Sequence, residues 1–171
     1  VRFYDAQKGV INIDGTNIRD YALHTLRQHV GLVLQDVFLF SGSIYENITL
    51  GNPDIGRERV MEAAQLMGMH DFILQLPGGY GYHVMERGMT LSMGQRQLLA
   101  FARVLVYDPC ILILDEATAS MDTENERLVQ KATAILMQNR TCLLIAHRLA
   151  TIQHADNILV LKHGKVQEEG P

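Results

Sequence analysis

The sequence predicts an α/β domain whose sheet is mainly parallel. Three short apolar runs end abruptly in polar residues: Gly31–Leu34 before Gln35, Ile111–Leu114 before Asp115 and Glu116, and Thr141–Ala146 before His147. Each run is expected to form a buried strand. Longer segments with helical spacing of apolar residues separate the runs, a pattern typical of strand–helix–strand units. With 171 residues, 47% of them hydrophobic, the chain is long enough for one such domain with its own core.

The other elements follow from local patterns. Gly9–Asn17 alternates apolar and polar residues and contains Asp14-Gly15, which predicts a hairpin. A second hairpin is expected at Ile158–Glu168, around the turn His163-Gly164. Apolar residues at helical spacing predict helices over about 20–29, Glu58–Met67, His70–Leu76, Ser92 to about Val106, and Thr123 to about Met137.

Residues 36–50 are expected to form a loop, and they contain the apolar cluster Phe38, Leu39 and Phe40. Such a cluster either packs into the core or forms a docking surface for a partner. Its position directly after Gln35 favours docking.

Composition excludes several classes of function. The net charge is −4 and no dense run of Lys and Arg occurs, so no nucleic-acid partner is expected. No apolar run approaches the roughly 18–20 residues of a membrane span. The two cysteines, Cys110 and Cys142, lie in or beside apolar runs and are expected to be buried, reduced thiols.

The polar residues that follow the apolar runs predict a site. If the runs are parallel strands, Gln35, Asp115, Glu116 and His147 meet at one edge of the sheet, beyond the carboxyl ends of the strands. This pattern predicts a polar site that contains carboxylates, an amide and an imidazole.

Several motifs resemble those of the nucleotide-binding domain of ABC transporters, within them the exporter type, and the resemblance covers essentially the whole chain. Leu91-Ser92-Met93-Gly94-Gln95 resembles the LSGGQ signature, and Ile111–Glu116 resembles the Walker B strand. Ala119–Asp122 is similar to the D-loop, Gln35 to the Q-loop glutamine and His147 to the H-loop histidine. Glu86-Arg87-Gly88 resembles the X-loop of exporters.

The resemblance implies a P-loop NTPase-like core with a partial β-hairpin and a helical subdomain. The core would comprise residues 1–36 and 104–171, and the helical subdomain residues about 37–103. It also implies ATP and Mg²⁺ as cofactors. Asp115 and Gln35 would hold Mg²⁺, Glu116 would polarise the attacking water, and Gln35 would also help to orient that water. His147 would contact the γ-phosphate.

The implied partners are a second nucleotide-binding domain and the coupling helices of a transmembrane domain, at the cytoplasmic face of the membrane. In the family two such domains pack head to tail, and the resemblance implies that Ser92, Met93, Gly94 and Gln95 close over ATP bound to the second domain. A helix start also favours a phosphate on physical grounds. The D-loop residues Ser120 and Asp122 would bridge the two sites. Met93 replaces a Gly, and we expect reduced rather than lost function.

One family motif is missing from the sequence. The Walker A pattern, G-x-x-x-x-G-K followed by Ser or Thr, does not occur, since the only Gly-Lys pair, Gly164-Lys165, precedes Val166. We therefore expect a fragment that is inactive alone. The alternative function, a soluble ABC ATPase acting on nucleic acid or ribosomes, is disfavoured because no basic linker or long insert is visible.

Overall fold

The computed structural model describes residues 1–115, 123–146, 153 and 155–171. Its strands are β1 (Asn12–Ile13), β2 (Thr16–Asn17), β3 (Val30–Val33), β4 (Gly42–Ser43), β5 (His83–Val84), β6 (Ile111–Asp115), β7 (Thr141–Ile145), β8 (Ile158–Lys162) and β9 (Lys165–Gly170). Its α-helices are α1 (Leu23–His29), α2 (Ile44–Thr49), α3 (Arg57–Leu66), α4 (His70–Gln75), α5 (Met93–Tyr107) and α6 (Thr123–Met137).

The three apolar runs form parallel strands of one sheet, as predicted, and their order in the sheet is β3-β6-β7. The register places Val33 beside Leu114 and Leu114 beside Leu144. The carboxyl ends of the three strands therefore lie at one edge of the sheet. The short hairpins β1-β2 and β8-β9 confirm the two predicted turns at Asp14-Gly15 and His163-Gly164.

Burial of the strands differs from the prediction. Leu112 and Leu114 of β6 are buried, but Leu143 and Ile145 of β7 are 57% and 47% exposed, and Leu34 lies beyond β3 and is 54% exposed. The helices α5 and α6 pack together, and α5 also packs on β3. The expectation of a buried strand is therefore wrong for β7, where Thr141, Leu143 and Ile145 alternate with half-buried side chains and are exposed.

The predicted loop over residues 36–50 is also wrong in part, because it contains the short helix α2. Ser43 caps this helix: its hydroxyl accepts from the Glu46 amide over 3.0 Å, and the Glu46 carboxylate accepts from the Ser43 amide over 2.7 Å. This reciprocal pair is a capping box. It allows a helix of only 6 residues to begin at Ile44, which is fully buried.

One hydrophobic core joins the helices to the sheet. Its fully buried large side chains include Leu39, Ile44, Ile48, Met67, Ile73, Phe101 and Leu136. The helix α5 is central to this core, because it contacts α2, α3, α6 and β3. Residue 104, where the expected subdomain boundary falls, lies inside α5.

Two further features complete the fold. Cys110 is exposed and Cys142 is half-buried, and both are free thiols, so the expectation of burial is wrong for Cys110. Burial raises the pKa of the Cys142 thiol.

Among the described residues, no helix combines the length and apolar character needed to cross a bilayer.

Candidate functional site

The carboxyl edge of the sheet brings two of the predicted site residues to neighbouring strand ends. Asp115 is the last residue of β6, and Gln35 lies two residues beyond Val33, the last residue of the adjacent strand β3. Asp115 is paired with Ile145, the last residue of β7. Carboxylate and amide oxygens are donors suited to Mg²⁺, so the residue types at this edge fit the expected metal.

Four predicted residues, Glu116, Ser120, Asp122 and His147, lie outside the described residues. Their positions relative to Asp115 and Gln35 therefore stay predictions.

A cavity of about 410 Å³ lies beside Gln35, and we call it the Gln35 cavity. Its lining consists of Gln35, Asp36, Val37, Phe38, Arg87, Met93, Arg96 and Gln97. The cavity thus brings the predicted Q-loop glutamine together with Met93 of the signature and Arg87 of the X-loop. In the described part of the chain, neither Arg87 nor Arg96 forms a salt bridge, so two cations face this space beside a single carboxylate.

The signature residues form the start of α5. Ser92 is the N-cap: its hydroxyl accepts from the Gln95 amide over 3.2 Å, and the Gln95 side-chain oxygen accepts from the Ser92 amide over 2.9 Å. The capping box uses these two amides. Those of Met93 and Gly94 have no acceptor within the helix, because they belong to its first turn. The helix start therefore retains donors for an anionic ligand.

Packing against α6 also favours glycine at position 94, whether or not a ligand binds there. A β-carbon at this position would lie 3.0 Å from the Asn125 Cβ of α6, closer than side chains normally approach. The first turn of α5 therefore lies directly against the first turn of α6. Met93, in contrast, is 40% exposed and lines the Gln35 cavity.

The X-loop residues form a tight turn that contacts the segment after Gln35. Arg87 has a left-handed backbone (φ 61°), and its amide donates to the Leu39 carbonyl over 3.0 Å. Gly88 is also left-handed (φ +64°), and a β-carbon there would lie 2.8 Å from Leu39 Cδ1 and 2.9 Å from Arg96 Cδ. Glycine at position 88 therefore satisfies both a backbone and a packing requirement.

The apolar cluster Phe38, Leu39 and Phe40 contains both a core residue and residues that are free to dock a partner. Leu39 is fully buried in the core, whereas Phe38 and Phe40 are 46% and 54% exposed. Their rings form an edge-to-face pair with centroids 5.0 Å apart. Core packing thus explains Leu39, and the two phenylalanines remain available to a partner.

Two residues at this site were missed by the sequence patterns. Asn47 of α2 is bonded to both backbone groups of Phe40, and Arg103 of α5 is bonded to the carbonyls of Asn47 and Phe38. The capping pattern Ser43-x-x-Glu46 could have indicated α2 and so the position of Asn47. No local signal indicates the role of Arg103, because its partners are 56 and 65 residues away in sequence.

Comparisons with known proteins identify the family. The model of the family "ABC transporter" matches residues 1–119. An uncharacterized ABC transporter ATP-binding protein of Bacillus subtilis (strain 168) is 54% identical over 169 residues. An ATP-binding/permease protein of Staphylococcus aureus (strain NCTC 8325 / PS 47), whose name assigns it provisionally to multidrug export, is 50% identical over 169 residues.

A solved structure of a bacterial Atm1-family ABC exporter with ATP bound resembles the chain with a TM-score of 0.88 and 43% sequence identity. The match covers 99% of this chain and 30% of the exporter chain. The two sequence relatives are also matched over 99% of this chain, which spans 28% and 29% of their lengths. The shared fold is that of a P-loop NTPase, and the chain belongs to the ABC transporter family.

Proposed function

We propose that the chain is part of the domain that binds and hydrolyses ATP in an ABC exporter and so powers transport across a membrane. The observation that carries the proposal is the arrangement of Gln35 and Asp115 at one edge of a parallel sheet. Ligands of open α/β sheets bind beyond this edge.

In the proposed reaction, Asp115 and Gln35 hold Mg²⁺, which neutralises charge on the phosphates when bound. Glu116 polarises the attacking water, Gln35 helps to orient it, and His147 contacts the γ-phosphate. These roles require no covalent intermediate, since positioning and charge stabilisation account for most catalysis of phosphoryl transfer.

The signature residues serve a second nucleotide. We infer that the Met93 and Gly94 amides, with the side chains of Ser92 and Gln95, close over ATP bound to a second nucleotide-binding domain, packed head to tail. The first turn of α5 supports this role because it combines unsatisfied amides with the positive end of the helix dipole. Ser120 and Asp122 would lie between the two sites and link them.

The transmembrane partner would dock at the Gln35 cavity. Phe38 lines it and pairs with Phe40, so the two rings present exposed aromatic surface, while Arg87 and Arg96 supply positive charge. A coupling helix bound here would contact Gln35, which we assign to Mg²⁺ and to the attacking water. The domain would then lie at the cytoplasmic face of the membrane. The division into a core and a helical subdomain of residues about 37–103 belongs to the same proposal.

The 171-residue chain alone is proposed to have little affinity for ATP and no turnover. The main phosphate ligands of P-loop NTPases come from the Walker A loop, and this sequence contains no such motif. Calorimetry with MgATP tests this point, and tight binding by the chain alone would contradict it.

The variant Glu116→Gln in the complete protein tests the catalytic assignment. We expect hydrolysis to fall by at least about a hundredfold while an ATP-bound dimer accumulates, because the amide cannot polarise water as a carboxylate does. Glu58→Gln, which changes an exposed carboxylate of α3 in the same way, should retain wild-type turnover. Normal ATPase activity in Glu116→Gln would contradict the assignment of Glu116 to the attacking water.

A further inference from the structure

A side-chain amide holds the segment that follows Gln35 in place. Asn47 of α2 is 2% exposed, and its Oδ1 accepts from the Phe40 amide over 2.8 Å. Its Nδ2 donates to the Phe40 carbonyl over 2.9 Å and to the Ser43 carbonyl over 3.1 Å. Residues 37–40 have no regular structure of their own. The Asn47 side chain therefore satisfies the backbone N–H and C=O of Phe40, as a neighbouring strand would, and so fixes the path of this segment.

Arg103 connects the same segment to α5. Its Nε donates to the Asn47 carbonyl over 2.9 Å, and its Nη1 donates to the Phe38 carbonyl over 3.3 Å. The guanidinium therefore connects α5 to the backbone of α2 and to the backbone of Phe38, which lines the Gln35 cavity.

Stability alone is a poor explanation for Arg103. Its Nη2 is buried and has no hydrogen-bond partner among the described residues, and burial lowers the pKa of the guanidinium. The side chain as a whole is half-buried, and a buried donor nitrogen without an acceptor lowers the stability that such a group contributes. Its two bonds to carbonyls instead define where Phe38 and Asn47 lie relative to α5.

We propose that Asn47 and Arg103 are positioning residues that couple the signature helix α5 to the exposed pair Phe38 and Phe40. The inference rests on the proposed function, in which Ser92 at the start of α5 contacts a phosphate and the aromatic pair contacts a transmembrane partner. Movement of α5 on closure over nucleotide reaches the aromatic pair through the carbonyls that Arg103 and Asn47 hold.

Hydrogen exchange and kinetics of the complete protein test this coupling. In Asn47→Ala, we expect the Phe40 amide to exchange at least about tenfold faster, because its acceptor is lost. In Arg103→Met, we expect faster exchange of the same amide, because the backbone carbonyls of Phe38 and Asn47 lose the donor that holds this segment against α5. We expect kcat for ATP to fall at least about threefold with KM for ATP unchanged, since neither residue is assigned to nucleotide. Arg103→Lys keeps a positively charged donor group on a similar stem and should recover part of the slow exchange.

Tyr107→Phe is the matched control. The Tyr107 hydroxyl donates to the Thr49 carbonyl over 2.7 Å, so this change also removes one bond between α5 and α2, but not one that reaches Phe38 or Phe40. The variant should keep the wild-type exchange rate at Phe40 and the wild-type kcat.

The inference is overturned if exchange at Phe40 is unchanged in Asn47→Ala and Arg103→Met, or if faster exchange leaves kcat unaltered. An equal loss of kcat in Tyr107→Phe also overturns it, because the effect would then reflect general packing between the helices. A wild-type protein that hydrolyses no ATP would overturn the proposed function and the coupling together. An active wild type with unaltered exchange in the variants overturns the coupling alone.

Discussion

The Arg87 amide donates a hydrogen bond to the Leu39 carbonyl over 3.0 Å, which ties the X-loop turn to the segment after Gln35. The two positions are 48 residues apart in sequence. Leu39 is fully buried, so the turn is anchored to the core rather than to a surface loop. One wall of the Gln35 cavity therefore depends on the packing of this turn.

Gly88→Ala should destabilise the protein more than Gly164→Ala. Both glycines have positive φ (+64° and +73°), so both variants carry the cost of a left-handed backbone, about 1–2 kcal/mol. Only Gly88 is crowded, with Leu39 Cδ1 2.8 Å from an added β-carbon, whereas nothing lies within 4 Å at Gly164. Overpacking should add about 1–3 kcal/mol to the loss in free energy of unfolding. Equal losses in denaturant titrations would contradict the packing argument.

Met93→Gly should raise kcat/KM for ATP in the complete protein, by at most about tenfold, equivalent to about 1.4 kcal/mol. Removing the β-carbon allows the backbone at the start of α5 to approach a phosphate more closely. Met93→Ala is the matched control: it empties the side chain from the Gln35 cavity but keeps the β-carbon, and it should not increase the rate. The same increase in both variants would show that the thioether, not the β-carbon, limits activity.

Glu46→Gln should reduce the pH dependence of stability. Hydrogen bonds from the Ser43 amide and hydroxyl lower the pKa of the Glu46 carboxyl from its ordinary value of 4.5. A lowered folded pKa means that the stabilisation is complete above about pH 4.5 and is lost as the pH falls through the folded pKa. The amide that replaces the carboxyl does not titrate, so the variant should lose less stability than the wild type between about pH 5 and 3.

Ser43→Ala provides an intermediate case for this measurement. It removes the hydroxyl donor but keeps the backbone donor, which has the larger effect on the Glu46 pKa. Thermal unfolding across the pH range should place Ser43→Ala between the wild type and Glu46→Gln in its loss of stability at acid pH. Identical profiles for all three proteins would contradict a role for the capping box in this titration.

The sheet was predictable because its signal is local. Each apolar run is short, is followed at once by a polar residue, and is separated from the next by helical spacing, which together favour parallel strands. The same pattern predicts the edge at which Gln35 and Asp115 lie. Burial was less predictable: a mostly apolar run such as β7 suggests two covered faces, yet Leu143 and Ile145 are exposed.

The contacts around the Gln35 cavity were less predictable. Helix α2 has 6 residues, too few for a clear period, so only its capping box indicates it. Arg103 resembles any helical arginine in the sequence, and its role depends on carbonyls that the fold brings from 56 and 65 residues away. Such long-range bonds to backbone atoms leave no pattern in the side chains.

The continuity of α5 gives these distant contacts a mechanical consequence. Ser92 and Arg103 are eleven residues apart on one uninterrupted helix, a span of about 16 Å. If the helix tilts by about 10° as its start meets a ligand, a rigid rod of this length displaces its far end by about 3 Å. That displacement is comparable to a hydrogen-bond length, so a small rotation at the start of α5 is enough to shift the backbone carbonyls of Phe38 and Asn47 that Arg103 holds.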